Sequence, residues 1–157
     1  MTGAGVKITV QDKDRGYRRR MAKLRKFFGS SGITVGIHGE DGGAGHEESD
    51  LTVGDVASIH EFGLNGVQRS FIGAWFDAEK SNHEDAMVKM AESVVRGDNT
   101  KEAALEKLGV FLAADAQKYI QEGRVSPPTV KKDPDDNPTT LIASGQLVGS
   151  IRHKVEP

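Results

Sequence analysis

The stretch that most constrains this chain is Asp55-Val-Ala-Ser-Ile-His-Glu-Phe-Gly63, followed after a short loop by Arg69-Ser-Phe-Ile72. Within about 20 residues it sets out a capped short helix, a glycine stop and an aromatic-led amphipathic helix, a density that forms one supersecondary unit rather than a linker. Thr52-Val-Gly-Asp55 has the sense of a capping box, with Asp where Glu or Gln is usual, and it opens a helix carrying Val56, Ile59 and His60. Gly63 is placed to end that helix.

Two long helices are predicted downstream. From Ser70, a candidate N-cap, to about Val95 the apolar positions are Phe71, Trp75, Ala78, Ala86, Met87, Met90, Ala91, Val94 and Val95, with a polar interruption at Lys80 to Asp85 expected to expose the middle turns. Gly97 follows its end. Trp75 and Phe76 are adjacent on the helix and point to different faces, which leaves one of them for an interface. Thr100 caps a helix through Gln121 whose apolar stripe is Ala104, Leu105, Leu108, Phe111, Leu112, Ala116, Tyr119 and Ile120. The short Arg96-to-Thr100 connection makes the two helices antiparallel neighbours.

Strands are predicted from both ends of the chain. Val6 to Val10, Ile33 to Ile37 and Ser150 to Val155 alternate apolar and polar residues, and Leu141 to Leu147 reads as a short turn or helical segment. From about Asp14 to Phe28 the spacing of Tyr17, Met21, Leu24, Phe27 and Phe28 predicts an amphipathic helix with a basic opposite face. Residues 39–50 hold four glycines and five acids without apolar period, which predicts a flexible acidic loop whose shortening leaves folding nearly intact. Residues 123–140 hold four of the five prolines and read as an extended arm. The fold class expected is therefore α+β: an antiparallel sheet with two long antiparallel helices packed on one face, plus extended loops or arms, in a single domain over residues 1–157.

Composition removes several classes of chemistry. There is no cysteine, so disulfides, thiolate metal sites and cysteine nucleophiles are excluded. No apolar run approaches the roughly 18 residues of a membrane span, and the start lacks a signal-peptide pattern, so an intracellular product with no membrane role is expected. The serines sit in no Gly-x-Ser-x-Gly elbow, and Gly39 to Gly45 lacks the Lys-Ser/Thr of a phosphate-binding loop. His38, Glu40, Asp41, His46, Glu47 and Glu48 are metal-ligating residue types, but four glycines give them no rigid support. A rival reading joins His38, His46 and His60 in a metal-dependent hydrolase, although His60-Glu61 lacks the second histidine of His-Glu-x-x-His and His60 reads better as a packed or capping residue. No catalytic residue, metal or cofactor is assigned.

The net charge of −2 hides an asymmetry. Arg15, Arg18, Arg19, Arg20, Lys23, Arg25 and Lys26 make one segment strongly basic, while acids gather at Glu40 to Asp55 and Asp133 to Asp136. The basic segment reads as a solvated helix face, as a nucleic-acid-binding module contacting phosphates, or as a docking element for an acidic loop or partner.

Three blocks in order resemble the tail-completion or neck (head–tail joining, virion morphogenesis) proteins of tailed bacteriophages and prophages. Ala57-Ser-Ile-His-Glu-Phe-Gly63 is similar to the family's small-x-x-x-Glu-aromatic-Gly block, and Arg69-Ser-Phe-Ile72 to its Arg-Pro/Ser-Phe-Leu block. Gly123, Pro127-Pro-Thr129 and Lys131-Lys132 lead to Leu141-Ile-Ala-Ser-Gly-Gln-Leu147 and Ser150-Ile151, similar to the family's ending. Ser70 stands where many relatives carry proline, and Ala143-Ser144 replaces a common Asp-Thr. The resemblance spans roughly residues 51–153 and leaves out the basic segment and the 39–50 loop. It implies a non-enzymatic virion protein, made in the host cytoplasm, that forms or caps a ring between the portal-connector complex and the tail tube. Its partners are then further copies of itself in a cyclic oligomer, expected to be a hexamer, with portal/connector and tail-tube proteins on either side and DNA passing through the lumen. The positions it carries over, Glu61, Phe62, Gly63, Arg69, Phe71, Gly145 and Leu147, are expected to set fold and subunit packing rather than a reaction.

Overall fold

A computed structural model describes residues 29, 31–47, 49–126 and 145–156. The chain divides into two compact units, Met1–Ser30 and Ser31–Pro157, and the description below concerns the second. The strand expected at 6–10, the basic segment Arg15 to Lys26, and residues 127–144, with most of the proline-rich arm, lie outside the described residues.

The described chain is α+β, with six helices and a two-stranded antiparallel sheet. Its order is β1 (Gly32–Ile37), α1 (Gly39–Gly42), α2 (Val53–Phe62), α3 (Ile72–Ala78), α4 (Lys80–Arg96), α5 (Lys101–Gln121), α6 (Gln146–Gly149) and β2 (Ile151–Glu156). The strands pair in register from Gly32↔Glu156 to Ile37↔Ile151, joining the two ends of the unit. α5 packs against both strands, α4 packs against α5, and α1 packs against α2.

Capping follows the sequence closely. The Thr52 hydroxyl accepts the Asp55 N–H at 3.1 Å while the Asp55 carboxylate accepts the Thr52 N–H at 3.0 Å, closing the capping box reciprocally. The Thr100 hydroxyl likewise accepts the Ala103 N–H at 3.2 Å. Gly97 ends α4 in the left-handed region at φ 87°.

The core gathers Ala57, Phe71, Trp75, Ala116, Tyr119, Ile120, Val125, Leu147, Val148 and Ile151, so side chains from α2, α3, α5, α6 and β2 share one apolar cluster. Val35 and Ile37 of β1 pack against it from the alternating positions that face α5. α5 is admitted close to the sheet by Gly109, where an added Cβ would lie 2.2 Å from His153 Cδ2 and 2.7 Å from its Cγ. The His153 ring lies over that notch and reaches Glu106 of α5 at 2.9 Å.

Two expectations are corrected. The helix expected from Ser70 to Val95 is two helices, because the chain breaks at Glu79 (φ −101°, ψ 11°), just ahead of the polar Lys80–Asp85 run. As expected, that run is mostly exposed, with Lys80, Ser81, Asn82, Glu84 and Asp85 in water, while His83 within it is 2% exposed. The apolar stripes are also wider than the buried faces, since Met87, Val95 and Phe111 remain exposed.

Segment 39–50 is more structured than its composition suggests. It contains α1, a backbone bridge pairs Gly45 with Thr52, and the Val53 N–H donates to Ala44 O at 2.9 Å. The Gln146 side chain donates to Gly45 O at 2.9 Å and accepts the Glu47 N–H at 3.0 Å, clamping the segment to α6. Gly54 lets α1 close on α2, since a Cβ there would meet Gly42 O at 3.0 Å.

Candidate functional site

Two of the three blocks that carry the family resemblance meet at one joint, where the end of α2 holds the start of α3. The first turn of any helix presents backbone N–H groups without intrahelical partners, and α3 has no side-chain cap at Phe71. Glu61, the penultimate residue of α2, supplies the missing acceptor. Its Oε2 accepts the Phe71 N–H at 2.8 Å and the Ile72 N–H at 3.0 Å, and its Oε1 accepts the Gly73 N–H at 3.0 Å and the Ser70 hydroxyl at 2.7 Å. Ser70 accepts the Ala74 N–H at 3.3 Å, so it relays the cap rather than providing it alone.

Glycines make this approach possible. A Cβ on Gly73 would lie 2.8 Å from Ser70 Oγ and 3.1 Å from Glu61 Oε1. Gly63 turns the chain back in the left-handed region at φ 68°, where a Cβ would also lie within 3.0 Å of the Gln68 backbone. The returning segment is tied down by Gln68 Nε2 donating to Glu61 O at 3.0 Å and by the Arg69 N–H donating to His60 O at 2.8 Å.

Burial raises the Glu61 carboxyl, but the hydrogen bonds from Ser70, Phe71, Gly73 and Ile72 together outweigh it and hold the group below its ordinary range. Glu61 is thus an ionised carboxylate at a helix N-terminus, where charge and dipole favour each other, and its oxygens are occupied by four donors. His60 is lowered by burial, then by the charges of Arg69 and His46.

The carried-over residues have distinct placements. Phe71 and Leu147 are core, Gly145 sits at φ 70° ahead of α6, and Arg69 is half-buried beside the joint. Phe62 is 69% exposed, outside the joint.

A second polar cluster was not foreseen. Asp115 Oδ2 of α5 accepts Trp75 Nε1–H at 2.8 Å and lies 3.3 Å from His83 Nε2, while the His83 ring packs 4.7 Å from Trp75 and 5.7 Å from Phe76. It ties α3 and α4 to α5 across the break at Glu79. Glu79 itself pairs with Arg124 at 2.6 Å, and the Arg124 guanidinium lies 4.3 Å over the Tyr119 ring. As expected, Trp75 and Phe76 diverge: Trp75 is buried and Phe76 is exposed.

Among the described residues no group of three or more His, Asp or Glu side chains is placed to hold a metal ion, and His38, His46 and His60 do not form one. Glu48 lies outside the described residues. Nor is any described helix long and apolar enough to cross a membrane. Comparison of the chain with family models, with curated proteins and with solved structures finds no match.

Proposed function

We propose that this chain is a non-enzymatic structural subunit of a tailed-phage neck, assembling in the host cytoplasm and residing in the virion at the head–tail junction. It forms or caps a six-fold ring between the portal-connector complex and the tail tube, with DNA passing through the lumen. The observation that carries this reading is the role of Glu61: the motif's carboxylate is engaged by four donors as a helix cap, with no oxygen left unpaired to act as a general base. The motif therefore supports a packing joint, and the large apolar side chains left in water beside it support association.

Light scattering after gel filtration at low and moderate salt tests the proposal. A discrete particle of six 16.9 kDa chains is the expected mass. A single-chain mass across the whole concentration range refutes self-assembly into a ring.

A further inference from the structure

The turn that follows α2 carries a reactive pair. The chain has four asparagines, and Asn65 alone is followed by glycine. When the backbone nitrogen of the next residue attacks an asparagine side chain, a succinimide closes, and a glycine nitrogen is the least obstructed nucleophile because no Cβ stands beside it. Gly66 lies at φ 89°, and a Cβ built there would meet nothing within 4 Å, so the space beside its nitrogen is open. Both residues are exposed, which gives water access to the side-chain amide.

The turn also prepares the electrophile. Asn65 Oδ1 accepts the Val67 N–H at 3.2 Å, an Asx turn that folds the side chain back along the Gly66 peptide and keeps Cγ near the Gly66 nitrogen. The same N–H faces the oxygen that gains negative charge as Cγ becomes tetrahedral, where a donor stabilises the transition state most. One bond opposes the reaction. The Gly66 N–H donates to Gly63 O at 2.9 Å, closing the Gly63–Gly66 turn, and this bond opens before the nitrogen gives up its proton. Opening is local, in an exposed turn whose ends stay fixed by Leu64 N–H donating to Ile59 O and Arg69 N–H donating to His60 O.

The other asparagines lack this arrangement. Asn82 precedes His83, whose N–H is committed to Glu79 O inside the helix, and its own amide donates to Glu79. Asn99 precedes Thr100, and its amide is held by Ser93 and Lys107. Asn137 precedes Pro138, whose nitrogen has no proton to lose.

We infer that Asn65 is a self-modification site that loosens the joint between α2 and α3. Hydroxide takes the Gly66 N–H proton, the nitrogen bonds to Asn65 Cγ, and the side-chain nitrogen takes a proton from water and leaves as ammonia. Water then opens the succinimide to aspartate or isoaspartate, with no change of oxidation state. Isoaspartate carries the main chain through the former side chain, lengthening the turn by a methylene. The Asx turn is lost, and the Gln68 and Arg69 bonds to the end of α2 lose their register.

Full-length protein aged in mildly alkaline buffer tests the site, read by peptide mapping with mass spectrometry that separates isoaspartate from aspartate. Isoaspartate is expected at position 65 ahead of any change at Asn82 or Asn99, at a rate proportional to hydroxide, and the melting temperature should fall in step with it. Asn65→Gln, whose longer side chain closes the corresponding imide far more slowly, should hold its own starting melting temperature over the same period. A position 65 that stays asparagine in the folded protein overturns the site, whether or not the urea-unfolded chain reacts there. Aspartate without isoaspartate overturns the succinimide route. Isoaspartate with an unchanged melting temperature, or an equal fall in Asn65→Gln, overturns the loosening of the joint.

Discussion

Replacing Glu61 removes the carboxylate by which the end of α2 caps α3. In Glu61→Ala three backbone N–H groups and the Ser70 hydroxyl lose their acceptor. Losing a helix N-cap costs about 0.5–2 kcal/mol, and the charge-assisted bonds together with the helix dipole raise this to about 2–4 kcal/mol, water replacing part of the loss at a half-buried site. For a chain of this length that lowers Tm by roughly 5–15 °C. Thermal melts followed by circular dichroism at pH 7 read it directly. Glu61→Gln keeps the shape but loses the charge and turns an amide toward N–H donors, so it falls between Ala and wild type. Gly73 supplies an internal control. Gly73→Ala drives a Cβ against Ser70 Oγ and Glu61 Oε1 and destabilises the wild type, but in the Glu61→Ala background Glu61 is gone and the Ser70 hydroxyl, no longer held by it, can rotate aside, so part of alanine's helix preference of about 1 kcal/mol reappears. The pH dependence has a definite sign. The folded pKa of Glu61 is lowered, so its contribution is complete above the unfolded value of about 4.3 and is lost as pH falls through the folded value. The gap in Tm between wild type and Glu61→Gln should therefore close under acid. A Glu61→Ala protein that melts with wild type at pH 7 refutes the cap.

Other parts of the structure make further predictions. Phe71→Ala empties a site that is 2% exposed and should cost about 3–5 kcal/mol by chemical denaturation; an unchanged midpoint removes Phe71 from the core. Gly109→Ala should destabilise by overpacking His153, about 1–3 kcal/mol less what alanine gains in a helix, and adding His153→Ala should recover most of the loss in a double-mutant cycle. The folded pKa of His60 is lowered by burial first, so its contribution is complete above about pH 6.5 and is lost as pH falls through the folded value. His60→Gln should accordingly flatten the fall in Tm between pH 7 and pH 5, and an unaltered slope counts against a buried neutral imidazole. Gln146→Ala frees the 39–50 segment by removing two hydrogen bonds; proteolysis there should accelerate, and an unchanged cleavage rate shows that the clamp is idle.

What was legible in the sequence was local. The Thr52 and Thr100 caps and the glycine stops at Gly63 and Gly97 act over three or four residues, and each falls where the chain's own chemistry places it. Period also served the strands, whose pairing of Ile37 with Ile151 only closes what both patterns announce. What escaped was long-range. Ser70 looks like the cap of the next helix, yet the acceptor comes from Glu61, nine residues earlier, because a turn folds α2 back on the helix start. Gly73 was a visible signal, being a flexible residue in a first turn, as Gly109 was in the middle of a helix. His83 was hidden by its polar neighbours, since hydropathy does not foresee a partner such as Asp115 on another helix. Gln146 was equally silent, because it stabilises a segment about a hundred residues away whose glycines argue for looseness. Among the carried-over positions, Glu61, Gly63 and Phe71 converge on the joint, whereas Phe62 points away from it into water.

The central claim is that this fold is a ring subunit, and electron micrographs of the purified full-length protein test it most directly. The account predicts closed particles whose averages show six-fold rotational symmetry about a central lumen. Isolated single chains, or open filaments with no closure, would contradict it.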